Sequence, residues 1–175
     1  MSDGVAWRKR IAMATLTKFR LTIVFVIIGL VISGVTAFPL LWELNILASL
    51  FTGGAENLDP ASYSGITHWI LKVREGLEVT YAAYPFIAYG TDWLAFGYIV
   101  IALFFILPYR DPVRYRGVLT IGVIACLLVV PLALICGPIR GIPFYWQLID
   151  SSFGIVCVFP LLYAIKLTRR MEAVQ

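Results

Sequence analysis

The chain reads as an all-α membrane protein: a bundle of four transmembrane helices with an amphipathic surface helix in the first outer loop and both termini on the inner side. Three observations carry this reading. Four apolar runs, about 21–47, 89–107, 118–136 and 144–167, each supply the ~20 helical residues that cross a bilayer. Of 175 residues, 61% are hydrophobic and 14% charged, with a mean hydropathy of +0.89. That is more apolar surface than a water-soluble domain of this size hides. Finally, Lys and Arg gather at one end of the runs, as they do in loops retained in the cytoplasm. In this topology eleven of the fourteen basic residues lie inside against Asp3, Asp111 and Glu172, a net charge of +8. Outside, Lys72, Arg74 and Arg140 face seven acids, a net charge of −4. The expected unit is one integral membrane domain over residues 1–175, in a bacterial cytoplasmic membrane.

The elements follow in order. Residues 1–20 are a basic flank in which Ile11, Met13, Leu16 and Phe19 interleave with Lys18 and Arg20, feeding the first span. Val35-Thr36-Ala37 has the small-residue look of a cleavage site, but apolar sequence continues through Trp42, so an uncleaved signal anchor is expected. The run 21–47 exceeds one hydrocarbon crossing, and Pro39 is expected to kink it or end it near Phe38. Trp42 and Glu43 then fall at the outer interface. Gly53-Gly54, Asn57, Asp59-Pro60 and Gly65 are turn chemistry.

Ile66, Trp69, Ile70, Val73 and Leu77 recur at helical spacing opposite Thr67, His68, Lys72, Arg74, Glu75 and Glu78. This predicts an amphipathic helix over about 66–84, ended by Pro85 and lying on the outer surface or capping the bundle. Thr91 is the expected N-cap of the second span, with Asp92 in its first turn. The short stretch around Pro108-Tyr109-Arg110-Asp111-Pro112 makes the second and third spans an antiparallel hairpin. Pro131 is expected to kink the third span, residues 137–143 to form a stiff outer turn, and Gly154 and Pro160 to interrupt the fourth span. Small residues mark candidate packing seams at Thr91 with Ala95 and at Gly122 with Ala125 or Cys126.

Chemistry concentrates in one outer layer. The topology brings Glu43, Asp92, Arg140 and Asp150 to the same level, with Tyr89, Trp93, Trp146 and Gln147 beside them. Asp150 lies deepest, about 9 Å inward if the fourth helix starts near Phe144. An acid there must be paired, protonated or facing a wet cavity. Two readings stay open. In one, these eight residues bind a cationic or amphipathic small molecule, a lipid headgroup or a proton. In the other, Arg140 and Asp150 form a structural ion pair, Asp92 is held by its helix dipole, and the aromatic residues form the interfacial belt.

Other chemistry is excluded or weak. The single histidine, His68, rules out a bis-histidine haem within this chain. Cys126, Cys136 and Cys157 have no metal-ligand spacing, and no metal or other cofactor is expected. Nucleic acid is excluded as a partner, since no stacking platform or basic stripe is present. The layout, with its long first loop and intramembrane acids, resembles the four-span sterol-isomerase superfamily in architecture, without a shared motif. That resemblance implies a small-molecule site and isomerase-like activity. With no catalytic motif in the residues, the leading expectation is a non-enzymatic accessory, assembly or partner-binding subunit. Its partners would be the bilayer and either copies of itself or a larger membrane complex. A small-molecule or lipid-binding protein built around Asp150, Asp92 and Arg140 is the alternative, and a transporter the third reading.

Overall fold

The computed structural model describes residues 2–173, with side chains from residue 13 onward. The charges expected at Asp3, Arg8, Lys9 and Arg10 and the apolar position Ile11 lie outside the described side chains. The described residues form seven α-helices and no strand: α1 (Ser2–Ala37), α2 (Leu40–Thr52), α3 (Gly65–Ala83), α4 (Ala88–Phe104), α5 (Ile106–Arg110), α6 (Arg116–Ile139) and α7 (Phe144–Glu172). Four segments are long and apolar enough to cross a membrane: Met13–Ala37, Pro85–Arg110, Arg116–Ile139 and Phe144–Glu172. The chain is built as an integral membrane protein. Only 6% of the most apolar stretch of α6 is buried, and 28% of that of α7. Side chains such as Ile121, Leu128, Phe153 and Phe159 face outward, which suits hydrocarbon and not water.

The chain divides into two compact units, residues 1–29 with 101–175 and residues 30–100, with the boundaries falling inside α1 and α4. In the first unit α6 and α7 form an antiparallel hairpin. Its register is read from pairs whose numbers run in opposite directions: Gly122 against Leu161, Gly154 against Cys126, and Gly137 against Gln147. Along α7 the buried positions are Gln147, Ser151, Gly154, Leu161, Ala164, Leu167 and Thr168. Gln147, Ser151, Gly154, Leu161, Ala164 and Thr168 follow at steps of three, four or seven residues, which draws one stripe down the helix with Leu167 beside it. At the far end Arg116 Nη1 meets both carboxylate oxygens of Glu172, at 2.9 and 2.7 Å, closing the hairpin. The Arg20 guanidinium lies 5.3 Å above the Tyr109 ring in the same unit, a cation–π contact.

In the second unit α2 and α3 pack against each other, with Leu44, Ala48, Ile70 and Leu71 buried. Gly53 ends α2 in the left-handed conformation at φ 66°, and Gly54 N–H donates to the Ser49 carbonyl at 2.8 Å. This is the glycine-dependent helix stop in which a side chain at the same φ would be strained. Gly34 of α1 sits against the backbone oxygen of Ala95 and the side chains of Tyr98 and Ile99. Of the expected Thr91–Ala95 seam, the Ala95 end packs against Gly34.

Pro39 separates α1 from α2, and α3 stops two residues before Pro85, because proline has no N–H to continue the ladder. Three expectations are corrected. Thr91 is not an N-cap: a 3₁₀ turn at Pro85–Ile87 leads directly into α4 at Ala88, and the Thr91 hydroxyl donates back to the Ala88 carbonyl at 2.6 Å. Proline's fixed φ suits a first helical turn, so the helix begins earlier. Gly137 and Pro138 belong to α6, not to the turn. Pro138 removes one donor to the carbonyl four residues back, and the last turn is closed by Arg140 N–H, which serves the carbonyls of Cys136 and Gly137, each at 3.1 Å. Finally, α7 runs unbroken through Gly154 and Pro160, as membrane helices tolerate both when neighbours accommodate them.

Candidate functional site

The expected outer layer is distributed over both units: Arg140, Trp146, Gln147 and Asp150 in the first, and Glu43, Tyr89, Asp92 and Trp93 in the second. In the first unit the polar groups serve the α6–α7 hairpin. Gln147 is buried with its amide against Gly137, and its Nε2 donates to the Ile142 carbonyl at 2.7 Å. Ser151 Oγ donates to the Gln147 carbonyl at 2.7 Å, and Ser152 Oγ to that of Ile149 at 2.6 Å. Trp146 is half-buried, with its backbone N–H on the Pro143 carbonyl at 2.9 Å. Asp150 is half-buried and Arg140 exposed. The ion pairs among the described residues are Arg74–Glu78 and Arg116–Glu172, so the expected Arg140–Asp150 pair does not form. The Arg140 backbone caps α6 while its side chain turns to the exterior.

In the second unit the structure brings Tyr89 and Trp93 together, at 5.8 Å between ring centroids and 80° between planes. Trp93 continues to Phe96 at 5.9 Å and 89°. These edge-to-face contacts have the geometry aromatic quadrupoles favour. All three rings are exposed, so they form an outward-facing ladder on α4 and do not line a pocket. Asp92 and Glu43 are each half-buried, and among the described residues no hydrogen bond or ion pair joins them.

Sequence reasoning missed a second polar centre. Arg74 pairs with Glu78 at 3.1 Å, as helical spacing suggests, but its Nε also donates to Asn45 Oδ1 of α2 at 2.6 Å. Nearby, the loop 53–64 is tied by its own side chains. Asn57 Oδ1 accepts from Asp59 N–H at 3.0 Å, Asp59 Oδ1 from Ala61 N–H at 2.9 Å, and the Asn57 carbonyl from Tyr63 Oη at 3.0 Å. His68 Nδ1–H donates to the Pro60 carbonyl at 2.8 Å, which fixes the loop to α3. The Asn-x-Asp-Pro pattern was the available signal, since such side chains close turns on their own backbone. Nothing in the sequence points from Arg74 to a residue 29 positions earlier.

Two open grooves lie on α7 in the first unit. One, of about 500 Å³, runs between Leu21, Thr22 and Phe25 of α1 and Phe159, Pro160 and Tyr163 of α7. The other, of about 550 Å³, is lined by Leu162, Ile165, Lys166, Arg169, Arg170 and Ala173. Among the described residues no group of three His, Cys, Asp or Glu side chains is placed to hold a metal ion, and all three cysteines are free. No family model matches the chain, and no curated protein or solved structure is significantly similar to it.

Proposed function

We propose that this protein is a non-enzymatic accessory or assembly subunit of a bacterial cytoplasmic-membrane complex. Both termini would be cytoplasmic, and an amphipathic α3 would present the outer-face recognition surface. The observation that carries this reading is the self-tied loop 53–64 and its attachment to α3 through His68 and Pro60. A loop stiffened before it meets a partner loses less conformational entropy on binding. The basic inner flanks support the orientation. The polar groups of the α6–α7 hairpin are committed to helix carbonyls, which suits a structural more than a catalytic role. Tagged protein extracted in mild detergent is expected to migrate as a stoichiometric complex, and Asn57→Ala with Asp59→Ala is expected to release the partner while leaving helix content intact. Isolation of a stable monomer from native membranes under the same conditions would overturn the proposal.

A second reading is favoured by one observation: Asp150 is half-buried in a membrane-length helix and has no ion-pair partner among the described residues. An acid at that depth is costly and is commonly functional. In this reading Asp150, with Trp146 and Gln147, engages a cationic or amphipathic small molecule. Asp150→Asn is then expected to abolish small-molecule binding with thermal stability unchanged. A variant equal to or more stable than wild type with binding intact would exclude it.

A further inference from the structure

We infer that the end of α7 holds an anionic phospholipid, with its headgroup on Lys166, Arg169 and Arg170 and an acyl chain in the slot between α1 and α7. The inference rests on charge left uncompensated beside an apolar groove. Lys166, Arg169 and Arg170 are exposed and line one groove together. The acid on the same helix end, Glu172, is bound through both oxygens to Arg116. Among the described residues no acid pairs with the other three cations. Part of this charge complements the helix dipole, which acts only over the last turn. Lys166 lies further back and is outside that range.

The neighbouring slot completes the site. Phe159, Tyr163, Lys166 and Arg170 follow one another at spacings of four, three and four residues, so they form a single stripe along α7. Its first two members line the slot against Leu21, Thr22 and Phe25, and its last two line the basic groove. The Thr22 hydroxyl is turned to the Lys18 carbonyl at 3.0 Å, which leaves the slot apolar. Phe159 to Arg170 spans about 16 Å of helix, close to the ~15 Å depth of one leaflet's hydrocarbon. A phosphate at the basic groove therefore places its acyl carbons along the slot. A diffuse basic flank that only orients the helix explains the charges, but not the apolar slot in line with them. Arginine and lysine beside a membrane-spanning helix are the recognised chemistry for anionic headgroups.

The test is native mass spectrometry of the full chain in detergent, titrated separately with phosphatidylglycerol and phosphatidylcholine of the same acyl length. Wild type is expected to retain phosphatidylglycerol preferentially, and K166Q/R169Q/R170Q to weaken it on the order of a hundredfold, at about 1 kcal/mol per basic residue. R110Q/R114Q, at the other basic turn, is expected to leave it unchanged. Thr22→Phe, which fills the slot without altering charge, is expected to weaken phosphatidylglycerol binding several-fold, and it decides the matter alone if the triple variant does not insert. Equal retention of the two lipids, an equal loss in R110Q/R114Q, or unaltered binding in Thr22→Phe would each overturn the inference. Displacement by millimolar inorganic phosphate would do so too, by showing that the groove takes a free anion.

Discussion

Gly154 is where backbone meets backbone. A Cβ built there would collide with the carbonyl oxygen of Cys126 and reach Val129 at 3.0 Å. The carbonyl is part of the α6 ladder and cannot swing aside as a flexible side chain would. Glycine thus lets two membrane helices approach closely, which is how small residues strengthen association where no hydrophobic effect drives it. Gly137 does the same for the Gln147 side chain, whose amide then reaches the Ile142 carbonyl. Gly154→Ala is expected to force α6 and α7 apart and to cost about 1–3 kcal/mol, the usual penalty for overpacking. Thermal unfolding in mild detergent should show a lowered midpoint. The same substitution at Gly29, where a Cβ has open space, should leave the midpoint unchanged or slightly raised, because alanine is the better helix former. Equal loss at both positions would mean that the close approach at Gly154 does not govern the response.

At the scale of the element, the α2–α3 pair depends on Arg74. Its side chain is 18% exposed, while that of its helical partner Glu78 is 54% exposed. Solvent screens the Glu78 contribution, so Glu78→Gln should cost no more than about 0.5 kcal/mol. The bond to Asn45 joins two helices and involves a charged donor, and losing it should cost about 1 kcal/mol or more. Arg74→Met keeps the apolar stem and should destabilise more than Glu78→Gln. Hydrogen exchange should quicken across residues 40–64 in the former and not in the latter. Matching effects of the two variants would mean that the intrahelical pair is what matters.

The elements also separate what the sequence could reveal from what it could not. Pro39 and Pro85 were readable as helix ends because a missing N–H acts locally, whatever the surroundings. Gly154 and Pro160 suggested an interrupted fourth helix for the same local reason, yet α7 is continuous. Its packing partner Cys126 lies 28 positions earlier, and the register of a hairpin decides which glycine faces which carbonyl. Hydropathy cannot supply that register, because lipid-facing and helix-facing residues are equally apolar. Likewise Gln147 was legible as a member of the outer polar layer, but its use as a latch between α7 and the preceding turn depends on Gly137 leaving room. The Arg140–Asp150 pair was suggested by closeness in sequence and opposite charge. It fails because capping α6 fixes the Arg140 backbone and leaves its side chain at the exterior.

For the whole molecule, four membrane-length helices joined by turns at 111–115 and 140–143 require successive turns to lie on opposite sides. The turn between α5 and α6 carries exposed Arg110 and Arg114, and the proposed orientation puts it inside because basic turns are retained there. On the proposed orientation, the turn after α6 and α3 are each expected to be reached from outside. This order can be tested in a background lacking cysteine (C126A, C136A, C157A), using a membrane-impermeant maleimide on intact cells. E75C and I142C should label directly, and R114C only after permeabilisation. Labelling of I142C and R114C from the same side would mean that α6 does not cross. Labelling of R114C alone from outside would mean that the order is inverted, and the basic residues would then have to be serving a partner and not orientation. Reversing the charge bias should move the result in the same direction. R110E/R114E removes the principal retention signal between the second and third spans, so part of the population should expose residue 142 inward and lose E75C labelling. The size of that fraction measures how far the orientation rests on this one turn and how far on the flanks at Lys18, Arg20 and the end of α7.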